Sequence, residues 1–203
     1  RLGDEVADKI AGWLDDAGVR FVGEVEVHGF DDGHRVQLAD GSHYEADLVL
    51  VAAGVEPQAD LAESAGLEMH EGRVVVDQHM RTSADGIFAA GDVVHAHNAV
   101  AGRRLSVEHW GEAERMGEIA GTCAAGDDDE WAQAPGFWSE IGAHTLKYAA
   151  WGDGYDHVRF VEHEEGAFTA WYGKGGVTVG VLTHQADDDY DRGQRLVEDG
   201  AVY

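Results

Sequence analysis

The densest chemistry-bearing run in this 203-residue chain is Thr82-Ser83-Ala84-Asp85-Gly86-Ile87-Phe88-Ala89-Ala90-Gly91-Asp92. Ile87 to Ala90 reads as a short buried strand that delivers Gly91, where backbone can approach a ligand closely, and then the Asp92 carboxylate. That is where open α/β sheets bind ligands, and a carboxylate there can accept hydrogen bonds from sugar or polyol hydroxyls. Gly-Asp alone is an ordinary turn; the whole run is far more specific. Three further segments stand out. Val51-Ala52-Ala53-Gly54-Val55-Glu56-Pro57 follows an apolar run and places Gly54 38 residues before Asp92. Val107-Glu108-His109-Trp110 opens a helix, whose N-terminus presents free N–H groups and partial positive charge. Phe137-Trp138-Ser139 puts a tryptophan either against a ligand or in the core of the last part of the chain.

The elements that must position these residues follow from periodicity. Val6, Ile10, Trp13 and Leu14 recur at helical spacing, with Gly18 as a stop. Arg20 to His28 and His34 to Leu38 read as strands joined by an Asp31-Asp32-Gly33 turn. Asp47 to Ala53 is a continuous apolar run, expected as a strand buried on both faces of a parallel sheet. A short helix near Leu61 to Ala65, a strand at Arg73 to Val76 and a long helix from Val107 to Ala125 follow. Asp127 to Glu130 is a charged linker. Beyond Trp131 the texture turns aromatic and β-rich, with strands at Thr145 to Trp151, His157 to Glu162, Phe168 to Tyr172 and Val177 to His184, and a closing helix at Arg192 to Glu198. The expected fold class is α/β, an incomplete α/β part followed by a small antiparallel α+β domain. The expected boundaries are 1–57, 58–130 and 131–203.

Composition narrows the function. Apolar residues at 44% and charged residues at 27% suit a soluble globular protein. The net charge of -26 argues against nucleic acid and anionic membrane, whose phosphates would be repelled. No apolar run approaches the roughly 20 residues of a membrane-spanning helix. The lone Cys123 permits no internal disulfide and no C-x-x-C pair, which fits a reducing cytoplasm. The chain starts at Arg1 directly in a helical pattern, as an excised fragment would. Neither glycine fingerprint, strand–G-x-G-x-x-G–helix, is present, and Gly173-Lys174-Gly175-Gly176 reads as a hairpin turn. His95 and His97 flank an apparent loop, and no histidine spacing suggests a metal site.

The run ending at Asp92 resembles the second FAD-binding motif of the pyridine nucleotide-disulfide oxidoreductase family, in which the final Asp binds the ribityl chain. The segment around Gly54 resembles the family's strand end beside the nicotinamide nucleotide. Val107 to Trp110 resembles the helix start beneath the flavin in ferredoxin reductases and apoptosis-inducing factor. Phe137-Trp138-Ser139 resembles the segment whose Trp packs near the isoalloxazine. The resemblance implies the C-terminal half of a flavoprotein that takes a hydride from NAD(P)H onto FAD and passes electrons to a ferredoxin-like iron–sulfur protein or another acceptor. It implies incomplete Rossmann-type FAD- and NAD(P)-binding parts, and cofactor-binding positions for Gly91, Asp92, Glu108, His109, Trp110, Trp138 and Gly54. Glu108 and His109 would lie near the ring with no defined step, and no side chain acts as acid or base.

The part after Trp131 is short and lacks the His-x4-Glu pair of the disulfide reductases: five residues after His184 comes Asp189. This favours the ferredoxin-reductase and apoptosis-inducing-factor branch. A thiol-disulfide reductase and a non-catalytic binding module remain the alternatives. Ile141-Gly142-Ala143-His144 departs from what usually follows F-W-S, which leaves the acceptor open. Arg103-Arg104 is the expected docking pair for an acidic acceptor, unless both simply pair with nearby carboxylates. The unpartnered Asp47 to Ala53 edge and the flavin crevice are expected to drive self-association of the isolated chain.

Overall fold

The computed structural model describes residues 2–31 and 34–203. Helix α1 (Asp4–Asp16) carries Asp4 and Glu5 in its first turn, where carboxylates meet the positive end of the helix dipole. It stops where Gly18 takes φ +72° and the Gly18 and Val19 N–H groups turn back onto the Asp15 and Leu14 carbonyls at 2.8 Å. Strands β1 (Val27–Asp31), β2 (Arg35–Leu38) and β3 (His43–Glu45) then form a three-stranded antiparallel sheet in sequence order. The strand expected from Arg20 begins only at Val27, because Glu24 takes a left-handed φ of +56° that breaks the extended run. Asp32 and Gly33 of the expected turn lie outside the described residues.

The apolar run from Asp47 to Ala53 is not a strand. Leu48 is 84% exposed, Leu50 86% and Val51 61%. A strand buried on both faces needs neighbours at both edges and layers above and below. None of the described residues supplies them, so the sequence pattern is there without the sheet that would use it.

The middle of the chain is a four-stranded sheet backed by a helix. Helix α2 (Asp60–Ser64) leads to β4 (Met69–His70), β5 (Arg73–Val76), β6 (Val94–Asn98) and β7 (Arg103–Leu105), ordered β4-β5-β6-β7 with β5 and β6 parallel. Helix α3 (Trp110–Ala124) turns Met116, Ile119 and Cys123 inward at helical spacing. They pack on Val74, Val76, Val94, Ala96 and Leu105, with Met80 and Trp131 closing the core. Ile87 to Ala90 is not a strand; Phe88 makes one isolated bridge to Arg81. The loop before it is fixed by the Asp77 carboxylate, which accepts from the His79 and Arg81 N–H groups at 2.9 Å each. His95 and His97, expected beside a loop, instead alternate outward along β6 while Val94, Ala96 and Asn98 point into the core.

The last part is an antiparallel five-stranded sheet with a helix across it. Strands β8 (Gly136–Ile141), β9 (His144–Ala150), β10 (His157–Glu162), β11 (Phe168–Lys174) and β12 (Val177–His184) are ordered β10-β11-β12-β9-β8. Gly175 and Gly176, both at positive φ, make the β11–β12 turn. Helix α4 (Asp187–Glu198) starts earlier than its apolar residues suggest, with three aspartates in its first turn. It covers Ala149, Trp171 and Val181, and Gly193 lets it lie directly on Val181.

The opposite face of this sheet is covered by α1. Val6 is 1% exposed among Leu146, Phe168, Tyr172 and Leu182. Trp13 stacks on His144 with centroids 4.2 Å apart, the Tyr172 hydroxyl donates to the Leu2 carbonyl at 2.7 Å, and Lys9 pairs with Glu162. The first helix of the chain is therefore a packing partner of its last sheet.

Candidate functional site

The start of α3 and the strand β8 face each other across an open cleft of 480 Å³ lined by His109, Trp110, Gly111, Phe137, Trp138 and Ser139. Two segments distant in sequence, both singled out by motif, are thus brought together. On β8 the side chains alternate. Phe137 turns inward against Tyr148, its ring centroid 5.3 Å away, while Trp138 turns out and is 52% exposed. Trp138 is therefore not a core residue holding the last domain down. It sits 6.2 Å from Trp110, which is 75% exposed.

The helix start is built to stay open. His109 is the N-cap residue, yet its side chain does not cap the helix, and the first turn-closing bond is Ala113 N–H to His109 carbonyl at 2.9 Å. The Trp110, Gly111 and Glu112 N–H groups precede that bond, among the donors a helix leaves without intrahelical partners. The helix begins at Trp110 rather than Val107. Gly111 faces Trp138 so closely that an added Cβ would meet its ring at 3.3 Å. Beneath the same turn, Gly91 takes φ +83° and an added Cβ would touch the Ala113 Cβ at 3.4 Å. The positive φ favours glycine here, and the loop lies within van der Waals reach of the helix.

The electrostatics centre on His109 and Asp92. Burial holds the His109 imidazole below the usual histidine range, while the Asp92 carboxylate and the Gly136 backbone push the other way. His109 Nδ1 is buried without a hydrogen-bond partner, and its ring lies edge-on to Phe137 at 4.9 Å. Glu108 turns away from the cleft into an ion pair with Arg73. Gly54 has φ +103° on the exposed segment after Ala53 and belongs neither to the cleft lining nor to either large core. The structure thus places His109, Trp110 and Trp138 on the cleft, packs Gly91 against the first turn of α3, sets the Asp92 and Glu108 charges to act on the His109 imidazole, and leaves Gly54 apart.

Sequence reading passed over Glu112. Partial burial raises its carboxylate above the usual glutamate range, and it accepts from Trp131 Nε1 at 2.9 Å and Gly136 N–H at 3.1 Å. Its position three residues after the N-cap was the available signal. The basic pair is divided: Arg103 is held by Asp153 at 2.5 Å, and Arg104 makes no ion pair among the described residues. Arg104 lines a second open cavity, of 610 Å³, with His70, His95 and His97; the His70 and His95 rings stack at 4.3 Å. No trio of metal-ligating side chains is close enough to hold a metal among the described residues, and no helix there is long and apolar enough to cross a membrane.

Comparison with known proteins gives this arrangement a family. The chain is 32% identical over 203 aligned residues to the ferredoxin reductase component of chlorobenzene dioxygenase from Cupriavidus sp. (strain PS12), covering 97% of this chain and 48% of that protein. It is 28% identical to human apoptosis-inducing factor 3, over 92% of this chain and 32% of that protein. Among solved structures, the ferredoxin reductase for the CYP199A2 system from Rhodopseudomonas palustris superposes with a TM-score of 0.86 at 26% identity, covering 99% of this chain and 51% of that one. The chain spans about half the length of the ferredoxin reductase relatives it matches and a third of apoptosis-inducing factor 3. The sequence profile described as pyridine nucleotide-disulphide oxidoreductase matches residues 1–117. An open helix start, a glycine–aspartate loop beneath it and an aromatic wall opposite are thus carried by a chain that belongs to the pyridine nucleotide-disulphide oxidoreductase family.

Proposed function

We propose that this chain is the C-terminal half of an FAD-dependent NAD(P)H oxidoreductase that passes electrons to a ferredoxin-like acceptor, with the cleft between α3 and β8 as one wall of the flavin site. The observation that carries the reading is the cleft with the uncapped start of α3 on one side and Trp138 on the other, and the Gly91-Asp92 loop packed against the first turn of the same helix. The residues fit a flavin. His109 Nδ1 is an orphaned buried polar atom at the cleft, and Gly111 keeps clear the space that a Cβ would fill against Trp138.

FAD, when bound, supplies the chemistry: it accepts a hydride from the nicotinamide nucleotide and releases electrons to the acceptor. The chain's part is binding and electrostatics. Asp92 accepts hydrogen bonds from the ribityl hydroxyls. The free N–H groups of the first turn of α3 favour negative charge on the ring edge they face. Trp138 and Phe137 form the apolar wall that excludes water. Gly54 lies beside the nicotinamide nucleotide once the preceding half of the protein is in place; 1–57 is read as the remnant of the NAD(P)-binding domain, 58–130 as part of the FAD-binding domain and 131–203 as the C-terminal domain, with Val6 and Trp131 packing across those bounds. Glu108 acts through Arg73 rather than on the cofactor. Arg104, free of ion pairs, is the basic contact for an acidic acceptor, while Arg103 is already bound.

The test uses the longer protein that carries this chain. NAD(P)H should bleach its flavin absorbance, and a ferredoxin should then restore it. The Trp138→Ala variant should retain less FAD. A longer protein that purifies without flavin and cannot take it up would refute the reading.

A further inference from the structure

Glu112 occupies the third position of α3, where a glutamate commonly folds back to cap its own helix. Here it reaches across instead. One carboxylate oxygen accepts the Gly136 N–H at the start of β8 at 3.1 Å, and the other accepts the indole N–H of Trp131 at 2.9 Å. Both partners belong to the segment that leads into the aromatic wall, and Trp131 is 1% exposed. Gly136 is also pinned from its other side, where an added Cβ would stand 2.7 Å from the Tyr190 hydroxyl and 3.0 Å from the Tyr148 carbonyl. The Pro135 carbonyl accepts the Ala150 N–H at 3.0 Å. Strand β8 is held by β9 along its length, and the Glu112 bond ties its first residue to α3.

We propose that Glu112 is a positioning residue whose carboxylate clamps the first turn of α3 to β8 and so sets the width of the cleft between Gly111 and Trp138. The proposal rests on the flavin reading only for its consequence in the longer protein; the clamp itself belongs to this chain. Reaching across to Trp131 and Gly136 also leaves the N–H groups of the helix start free for a ligand, since the side chain that would cap them is engaged elsewhere. Burial is the main force on the carboxylate, opposed by its two hydrogen bonds and by Arg115, itself paired with Glu118 and Asp129. Tyr190 is the titratable group facing it from α4. Protonation of Glu112 weakens both acceptor bonds, so the clamp loosens as pH falls through the raised value.

Proton–nitrogen correlation spectra of the isolated chain test the clamp without any cofactor. In the wild type, the Trp131 indole, Gly136 amide and Trp138 indole resonances should move together in one pH transition. In Glu112→Gln the transition should vanish and the Trp138 and Gly111 signals should shift, while far-UV circular dichroism stays that of the wild type. Glu112→Asp, one methylene too short, should not restore the wild-type positions. Trp138 and Gly111 signals unmoved in Glu112→Gln, or a Trp138 that ignores the Trp131 transition, would overturn the proposal. If Glu112→Gln fails to fold, the wild-type pH titration alone decides it by the same criterion. In the longer protein, Glu112→Gln should weaken FAD binding by about tenfold. Moved resonances with unchanged FAD affinity would uphold the clamp and count against the flavin reading.

Discussion

Replacing Glu108 by alanine separates two accounts of the residue beside the cleft. Motif reading puts Glu108 near the cofactor; the structure pairs it with Arg73 at the start of β5. The Arg73 side chain is only 18% exposed and that of Glu108 37% exposed, so the pair lies between surface and interior. A fully exposed pair contributes about 0–1 kcal/mol. Breaking a fully buried one costs about 3–5 kcal/mol, because a charge is left without compensation. Arg73 Nε is already buried with no partner, which makes the guanidinium sensitive to losing its carboxylate. Solvent still reaches Glu108, which moderates the loss. Glu108→Ala should therefore destabilise the chain by about 1.5 kcal/mol. Arg73→Met keeps the packing of the stem and should cost about half as much. The double variant should resemble Arg73→Met alone, a coupling of about 1.5 kcal/mol. Urea unfolding followed by circular dichroism measures all four proteins. A Glu108→Ala midpoint equal to the wild type, with additive effects in the double variant, would show that the pair is solvated and idle.

Gly193→Ala should destabilise the chain by about 1–3 kcal/mol by overpacking, since its Cβ would stand 2.5 Å from Val181 Cγ1; an unchanged thermal midpoint would contradict the contact. In the longer protein, Asp92→Ala should lower flavin retention after desalting and Asp92→Asn should lower it less, because the amide oxygen still accepts; equal flavin occupancy in all three would reduce Asp92 to a turn residue. The isolated chain should self-associate, because Leu48, Leu50 and Val51 are exposed. Sedimentation should show oligomers that Leu48→Lys with Leu50→Lys disperses, and a monomeric wild type would refute this.

Legibility in the sequence followed how local each signal was. The strands His157–Glu162, Val177–His184 and Arg73–Val76 emerge with the bounds that periodicity gives, because each pairs with neighbours inside the chain. Asp47 to Ala53 carries an equally strong pattern and forms no strand, since its burial depends on layers that the described residues do not include. Strand β6 was hidden for the opposite reason: two histidines and an asparagine mask a true alternation, and the buried Asn98 is satisfied by Gln133, Val100 and Ala101. The aromatic residues of the cleft were readable from motifs, and Gly111 was not. Glu112 was not, because its partners Trp131 and Gly136 lie 19 and 24 residues away and only the fold brings them to it. The contact of α1 with the last sheet, through Val6 and Trp13, is likewise a property of the folded chain alone.

A crystal structure of the longer protein with FAD bound tests the central claim most directly. The account predicts the isoalloxazine ring in the cleft between the start of α3 and β8, against Trp138, with the ribityl hydroxyls on Asp92 and the ring edge facing the free N–H groups of the first helical turn. A flavin bound elsewhere, with Trp138 and Asp92 in contact only with protein or solvent, would contradict it.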